Sequence, residues 1–198
     1  LFLGINANVY ETLKSKYEDK YEYILPELTL NKNLYSDENL GNFELVSNLK
    51  VHNYDTNKSS TFFVNDINWT SKSIFSYNFI KSKFKANLKN INYETKNIEV
   101  FKRDTTNELF GALGLLSEIN LEKNLGSSRH LMTPKFLLRY APGSMRKEDN
   151  NSRLNPSRAF SLNRLDDINN FETGLATTLG FDYKIKNNTS VFDFSVAQ

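Results

Sequence analysis

Two histidines and one pair of glutamates are the residues of this sequence that could carry acid–base chemistry. His52 and His130 each lie in a predicted strand, and neither has a second histidine near it in the sequence. A lone histidine of this kind is more often a structural residue than a metal ligand or a general base. Glu118 and Glu122 could face the same way and resemble a catalytic carboxylate pair, but a solvated polar face explains them more simply. The sequence therefore predicts no catalytic, cofactor-binding or metal-binding residue.

A polar stretch from residue 141 to about residue 170 holds a second group of candidates. Its basic side chains could bind anionic sugar or phosphate groups at a membrane surface. A solvated loop is the simpler interpretation, because acidic residues are interspersed with the basic ones. The basic residues are Arg146, Lys147, Arg153, Arg158 and Arg164, and the acidic residues are Glu148, Asp149, Asp166 and Asp167.

The composition argues against several classes of function. The 198 residues include 25 basic and 23 acidic ones, and a net charge of +2 gives little reason to expect the concentrated basic surface that binds nucleic acid. The chain has no cysteine, which excludes disulfides and thiolate metal sites. Neither a glycine-rich phosphate loop nor an H-E-x-x-H or G-x-S-x-G motif occurs. We therefore expect that the protein is not an enzyme.

The elements that would position these residues are β-strands. Aromatic residues make up 13% of the chain and asparagine is frequent, a combination typical of strands joined by turns. Polarity alternates most clearly over residues 171–185. One side of that predicted strand carries Phe171, Thr173, Leu175, Thr177, Leu179, Phe181, Tyr183 and Ile185, and the other carries Glu172, Gly174, Ala176, Thr178, Gly180, Asp182 and Lys184. Similar patterns along the chain predict about nine or ten strands.

Three places depart from simple alternation. The apolar phase switches at Pro26, where we predict a bulge or an edge position because proline cannot donate to a strand ladder. Residues 108–125 fit either a strand or a helix, and Gly111 and Gly114 favour the strand. Pro134 interrupts the strand 130–140 and must lie where a backbone N–H is dispensable.

An all-β chain of this kind could be a soluble sandwich or a transmembrane barrel. No stretch approaches the roughly 18 apolar residues of a membrane helix, but strands of roughly 9–11 residues can cross a bilayer. The tight connection at 186–188 and the long polar loop at about 141–170 fit the outer-membrane pattern of short turns on one rim and long loops on the other. Because the chain opens on Leu1 without an initiator methionine, we expect a piece of a longer protein.

The second half of the chain resembles a known family. The segments "LMTPKFLLRYAPGSMRKEDNN", "LNPSRAFSLNRLDDINNFETGLATTLGFDYKI" and "FDFSVAQ" resemble the LPS-assembly outer-membrane protein family LptD, also called organic solvent tolerance proteins, and "YEYILPEL" near the start is similar to its tyrosine-rich strand. The resemblance is good over 131–198 and looser over 1–130. The loop lacks the family's usual glycine and second arginine, and acidic and asparagine residues stand in their place.

The resemblance implies that residues 1–198 are part of a single outer-membrane β-barrel domain, an antiparallel transmembrane barrel of which this chain would be a middle part. It implies a non-enzymatic role in passing lipopolysaccharide to the outer leaflet, with no cofactor. The implied partners are lipopolysaccharide, an LptE-like plug lipoprotein and the periplasmic bridge proteins that deliver the lipid. A different outer-membrane barrel, such as a porin or receptor, and a soluble β-sandwich binding module are the alternatives.

Overall fold

Almost all regular structure in the computed structural model of this chain is β-strand. The structure describes residues 1–11, 13, 21–54, 57–76, 79–99, 101–102, 104–146, 156–165 and 167–198. Among these residues, one 3-10 turn, Pro156–Arg158, lies between the ninth and tenth strands. The strands are β1 (Phe2–Glu11), β2 (Tyr21–Asp37), β3 (Gly41–Tyr54), β4 (Ser59–Thr70), β5 (Ile74–Ser76), β6 (Ile80–Lys96), β7 (Thr106–Ile119), β8 (Leu121–Leu125), β9 (Ser128–Ala141), β10 (Gly174–Lys186) and β11 (Val191–Ala197).

The strands form one antiparallel sheet in the order β1-β2-β3-β4-β6-β7-β9-β10-β11. The short strands β5 and β8 pair with β6 and β9, so that nine strands make up the main path among the described residues. The edge strands β1 and β11 do not pair with each other within the described part of the chain, and the sheet is therefore not closed into a barrel. The prediction of an all-β antiparallel fold is confirmed, and the described residues form eleven strands where the sequence predicts about nine or ten.

One face of the sheet, which we call the exposed face, carries large apolar side chains that none of the described residues covers. Cross-strand pairing forms one row on this face, which runs through Phe43, Trp69, Ala86, Leu113, Tyr140 and Leu175. Leu175 is 71% exposed. The exposed apolar residues of this face include Leu3, Ile5, Phe63, Ile67, Phe84, Leu88, Leu109, Leu113, Leu138, Tyr140, Leu175, Leu179, Phe192, Phe194 and Val196.

The opposite face, which we call the covered face, carries polar and charged side chains among apolar ones. Arg139 and Thr178 are buried there, and the side chain of Lys89 is only 5% exposed. The stretch formed by residues 156–165 and 167–173, which we call the covering segment, folds back over this face after β9 ends. The core lies on the covered face in two clusters of buried apolar residues, the first packed against Phe101 of the β6–β7 connection and the second formed together with the covering segment. One contains Phe62, Val64, Ile91 and Tyr93, and the other contains Ala112, Ala141, Leu162 and Phe171.

The strands are strongly staggered. The row that contains Phe43, near the start of β3, reaches β10 at Leu175, near the start of that strand. Because β10 runs antiparallel to β3, the starts of these two strands lie at opposite ends of the sheet. This stagger of about ten residues, or about 33 Å, accumulates over five strand-to-strand steps of about 4.8 Å. The strands are therefore tilted by roughly 50° from the perpendicular to the direction in which successive strands follow one another across the sheet.

The three irregular places of the sequence are confirmed as predicted. The β2–β3 register shifts between Ile24 and Glu27, and a bulge lies at Pro26, whose peptide bond with Leu25 is cis. Residues 108–125 are extended, as β7 and β8. Pro134 lies in β9 opposite the break between β7 and β8, where its missing N–H costs no ladder hydrogen bond on that side.

The boundaries of the long loop and its following strand were predicted less well. Strand β9 continues to Ala141, and β10 begins only at Gly174 rather than at Phe171. Gly174 has a φ of +99°, a backbone conformation that glycine adopts readily, and the chain turns there into the strand. Phe171 is fully buried on the covered face, so placing it beside Leu175 on one side of a strand was wrong. No helix in the described ranges is long and apolar enough to cross a membrane.

Candidate functional site on the covered face

The covering segment is anchored by apolar side chains. Phe171 stacks on Phe110 of β7, with ring centroids 5.8 Å apart and planes inclined by 17°. Leu162 lies over Gly114, and a Cβ atom at that glycine would come within 2.6 Å of the Leu162 side chain. Glycine at 114 therefore provides the space in which the segment approaches the sheet.

An arginine–glutamate–arginine network joins the covering segment to β9 and β10. Glu172 accepts hydrogen bonds from Arg164, including one of 2.9 Å from Nε to Oε2, and its Oε1 lies 3.2 Å from Nη1 of Arg139. Arg139 is 1% exposed and also donates to the backbone carbonyl of Glu172. Arg164 reaches the hydroxyl of Thr178 at 3.4 Å. A buried arginine without a carboxylate beside it would be strongly destabilising, so Glu172 is what allows Arg139 to lie here.

The charges of this network change the ionisation of the two residues in the connection. Burial opposes the ionisation of Glu172, but the hydrogen bond from Arg164 and the charges of Arg139 and Arg164 outweigh it, and the pKa of Glu172 lies below its ordinary value. The hydrogen bond to Glu172 raises the pKa of Arg164. Glu172 and Arg164 are therefore both charged at neutral pH.

Two lysines of the sheet bind the covering segment directly. Nζ of Lys89 lies 2.9 Å from Oδ2 of Asp66 and donates a hydrogen bond of 2.8 Å to the carbonyl oxygen of Ile168. Lys135 is ion-paired with Asp182 and lies over the ring of Phe160, 5.6 Å from its centroid. The sheet thus holds the segment at both ends of its path.

Arg146 fixes the start of the long connection. Its guanidinium lies between the rings of Tyr93 and Phe101, 4.9 Å and 4.8 Å from their centroids, in cation–π geometry. It is ion-paired with Glu108 and donates a hydrogen bond of 3.1 Å to the carbonyl oxygen of Asn169. One side chain therefore connects the β6–β7 connection, β7 and the covering segment.

Two cavities lie between the covering segment and the sheet. The first, of about 410 Å³, is bordered by β3, β4 and β6 and contains Asp66, Asn87 and Lys89. The second, of about 650 Å³, lies over β9, β10 and β11, next to Lys135 and Arg164. Both are lined by mixed polar and apolar groups, as expected for water-filled space rather than a closed apolar pocket.

The histidines and glutamates considered for catalysis are dispersed. His52 lies 3.2 Å from Glu22 and stacks on Tyr54, and Nδ1 of His130 lies 2.7 Å from the hydroxyl of Tyr183. Glu118 is paired with Lys81, 3.1 Å away, whereas Glu122 is paired with Arg129. Within the described ranges, no group of three histidine, cysteine or acidic residues is arranged to hold a metal ion.

The charged residues of the long loop divide into two groups. Arg146 and Arg164 hold the connection against the sheet, whereas Arg158 donates within the connection to the carbonyl oxygen of Leu165 at 2.8 Å. The expectation of a simple solvated loop is therefore wrong for the described part of the connection. Of the other charged candidates, Asp167 is among the described residues. The remaining five lie outside them, namely Lys147, Glu148, Asp149, Arg153 and Asp166.

Sequence reasoning missed Arg139 and Lys89. Both occupy the polar phase of a strand, where a charged residue is ordinarily solvated, and nothing local reveals that a segment far along the chain covers them. The mixture of Leu137 and Arg139 on one face of β9 is the single local sign that this face is more than solvated.

No protein-family model matches this chain, and no curated protein is significantly similar to it in sequence.

Proposed function

We propose that this chain forms part of the wall of an outer-membrane β-barrel that delivers lipopolysaccharide to the outer leaflet. In this arrangement lipid covers the exposed face, the covered face lines a polar lumen, and the covering segment lies inside that lumen. The chain does no covalent chemistry. The plug lipoprotein and periplasmic bridge proteins of the LptD family would be its partners, as the sequence resemblance implies.

The reversed polarity of the sheet carries the proposal. A soluble sheet buries its apolar face and solvates its polar one, but here leucines such as Leu113 and Leu179 are 64% and 62% exposed whereas Arg139 and Thr178 are buried. Monomeric soluble proteins rarely expose a continuous apolar surface of more than a few hundred Å². Lipid is the solvent that makes this distribution of side chains favourable.

Three further features agree with a barrel wall. The inclination of roughly 50° is slightly steeper than the 35–45° of spanning strands in membrane barrels. Tyr35, Phe43 and Trp69 form a row of aromatic rings, with neighbouring centroids 6.4 Å and 6.1 Å apart, at one end of the exposed face. Aromatic residues are enriched at the interfaces between membrane and water. Strands β9 and β10 are joined by a connection of 32 residues (142–173), whereas β10 and β11 are joined by four.

Closure of such a barrel needs further strands. The free edges of β1 and β11 present unpaired backbone groups, which are too costly in hydrocarbon to remain exposed to lipid. We propose that strands outside these 198 residues pair with both edges, which agrees with a chain that resembles the middle of a large barrel. Lipopolysaccharide as the cargo rests on that sequence resemblance.

The specific alternative is a soluble β-sandwich module, whose second sheet would cover the exposed face in place of lipid. The chain offers a direct test, because Trp69 is its single tryptophan and lies on the exposed face. The full-length protein, in which any tryptophan outside these 198 residues is replaced by phenylalanine, is folded into phosphatidylcholine vesicles, and the fluorescence of Trp69 is measured with lipids brominated near the headgroup or near the middle of the acyl chain. We expect strong quenching, greatest for bromine near the headgroup.

The matched control moves the tryptophan to the other face. In a Trp69→Phe background, Leu116→Trp places the indole on the covered face, and brominated lipid should quench it weakly. A chain that stays monomeric in water without detergent, with Trp69 unaffected by either lipid, would support the sandwich instead.

Delivery of lipopolysaccharide needs a separate measurement in cells. Depletion of the full-length protein from cells should reduce the amount of lipopolysaccharide at the cell surface. That amount is measured by the accessibility of the lipopolysaccharide to an added lipid A-modifying enzyme. If surface lipopolysaccharide is unchanged while uptake of small solutes falls, the porin alternative replaces the proposed cargo.

A further inference from the structure

A row of lysines runs along β6 on the covered face. Lys81, Lys83, Lys85 and Lys89 occupy alternating positions of the strand, and Asn87 fills the remaining one. Residues two apart on a strand point the same way and lie about 7 Å from each other. Four cations therefore follow one line from the end of β6 near β5 to the middle of the sheet.

The two outer lysines of the row have acidic partners. Lys81 lies directly opposite Glu118 of β7, with Nζ 3.1 Å from Oε1. Lys89 lies opposite Asp66 of β4, with Nζ 2.9 Å from Oδ2. Their charges are neutralised within the fold.

The two inner lysines form no ion pair among the described residues, although the charge of Glu118 also acts on Lys85. The register places Lys83 opposite Leu116 and Lys85 between Gly114 and Thr70. Within the described residues neither lysine makes an ion pair or a side-chain hydrogen bond, and both are partly buried. Two partly desolvated like charges about 7 Å apart repel each other, and an anion between them would remove this cost.

The first cavity opens beside Lys85 and adds an unused hydrogen-bond acceptor. Asn87 donates through Nδ2 to Asn68 at 2.7 Å and to Asp66 at 3.2 Å, but its buried Oδ1 has no partner among the described residues. Arg158 and Asn163 of the covering segment line the same cavity of about 410 Å³. The cavity therefore combines one lysine without an ion pair, Lys85, with a free amide oxygen that can accept from a hydroxyl group, and Lys83 is the next residue of the row along β6.

We propose that Lys83 and Lys85, with Asn87, form a binding site for an anionic, hydroxylated ligand of the phosphorylated-sugar class. The lysines bind the phosphate, and the amide oxygen accepts a hydrogen bond from a sugar hydroxyl. The inference rests on the proposed function in one respect, since a polar lumen is what brings such a ligand to this face. Solvated lysines without a ligand are the simple alternative, and they would show no selectivity for the phosphate.

The test is a calorimetric titration of the full-length protein in dodecyl maltoside micelles with glucosamine 6-phosphate, and separately with glucosamine. The decisive variant is K83Q/K85Q, and the matched control is K32Q/K96Q, which removes the same charge from the exposed face. We expect binding of the phosphorylated sugar only, weakened at least about tenfold in K83Q/K85Q and unchanged in the control. The variant K83R/K85R, which keeps both charges, should still bind.

Each remaining outcome decides against part or all of the inference. Equal affinity in the wild-type chain and K83Q/K85Q, or loss of binding in K83R/K85R alone, would overturn the site. Micelles containing phosphatidylglycerol provide a second arm, and competition by this lipid would assign the phosphate to a lipid headgroup rather than to a sugar. Quenching of Trp69 by brominated lipid is measured in parallel, so that failure of the site and failure of the membrane proposal are read separately.

Discussion

Replacing Leu179 by arginine tests directly what covers the exposed face. Leu179 lies midway along β10, opposite Phe136 of β9, and is 62% exposed. Leu179→Arg therefore removes little buried apolar surface and creates no collision within the chain. Its effect on stability depends almost entirely on the medium that surrounds the side chain.

The two media predict clearly different costs. With lipid at this face, an arginine near the middle of the bilayer should reduce the free energy of unfolding by about 2–4 kcal/mol. With water at this face, the same exposed substitution should change it by no more than about 0.5 kcal/mol. A control with identical chemistry is Leu131→Arg, which lies on the covered side of β9 opposite Glu122 and Lys184. We expect that change to cost less than about 1 kcal/mol, because the acidic neighbour offsets the new charge.

Urea unfolding in phosphatidylcholine vesicles, followed by tryptophan fluorescence, measures both variants of the complete protein. Thr178, the neighbour of Leu179 in sequence, is not a suitable control, because it is buried beneath Arg164. If Leu179→Arg and Leu131→Arg destabilise the protein equally, or if neither exceeds about 0.5 kcal/mol, lipid does not cover the exposed face and the reasoning from polarity is refuted.

Four further predictions follow from the same structure. Because the pKa of Glu172 is lowered on folding, the stabilisation that this carboxylate gives to the docked covering segment is complete above about pH 4.3 and is lost as the pH falls further. Hydrogen exchange of the covering segment should therefore become faster below that pH. Glu172→Gln should remove this pH dependence and weaken docking of the segment by about 2–3 kcal/mol. Arg146→Lys should loosen the connection by about 1 kcal/mol, because lysine lacks the planar guanidinium that stacks between the two rings; faster proteolysis would show this, and an unchanged rate would argue against the contact. A cysteine at Ser152, which lies outside the described residues, should react with an impermeant thiol reagent on intact cells expressing the full-length protein, whereas one at Asn187 should not; the reverse order would invert the topology. The 198-residue chain alone should give no steady conductance in a planar bilayer, because β1 and β11 lack partners, and a stable pore would contradict an incomplete barrel.

The local features of the fold could be predicted because they depend on neighbouring residues. Alternation in β10 and the bulge at Pro26 follow from side-chain direction and from the missing proline N–H. The register between strands could not be predicted, because it depends on partners that the alternating pattern leaves undefined. The stagger that connects Phe43 to Leu175 emerges only after five such registers are combined.

The covered face could not be predicted for a different reason. Glu172 and Phe171 continue the alternation of β10 in the sequence, so a strand beginning at 171 was the natural interpretation. Their positions are decided by Arg139 and Phe110 on other strands, which offer a counter-charge and a ring to stack on. Tertiary contacts of this kind override local pattern, and they turn an apparent polar loop into a packed segment.

The exposed face also constrains the route by which the chain reaches its folded state. In water, a sheet with this many uncovered leucines and phenylalanines favours aggregation with other copies of the chain. With lipid as the medium of this face, as we propose, chaperones would have to hold the newly made chain unfolded until it reaches the membrane. Docking of the covering segment must come late, since its binding surface is assembled from β4, β6, β7, β9 and β10 and does not exist until those strands have paired.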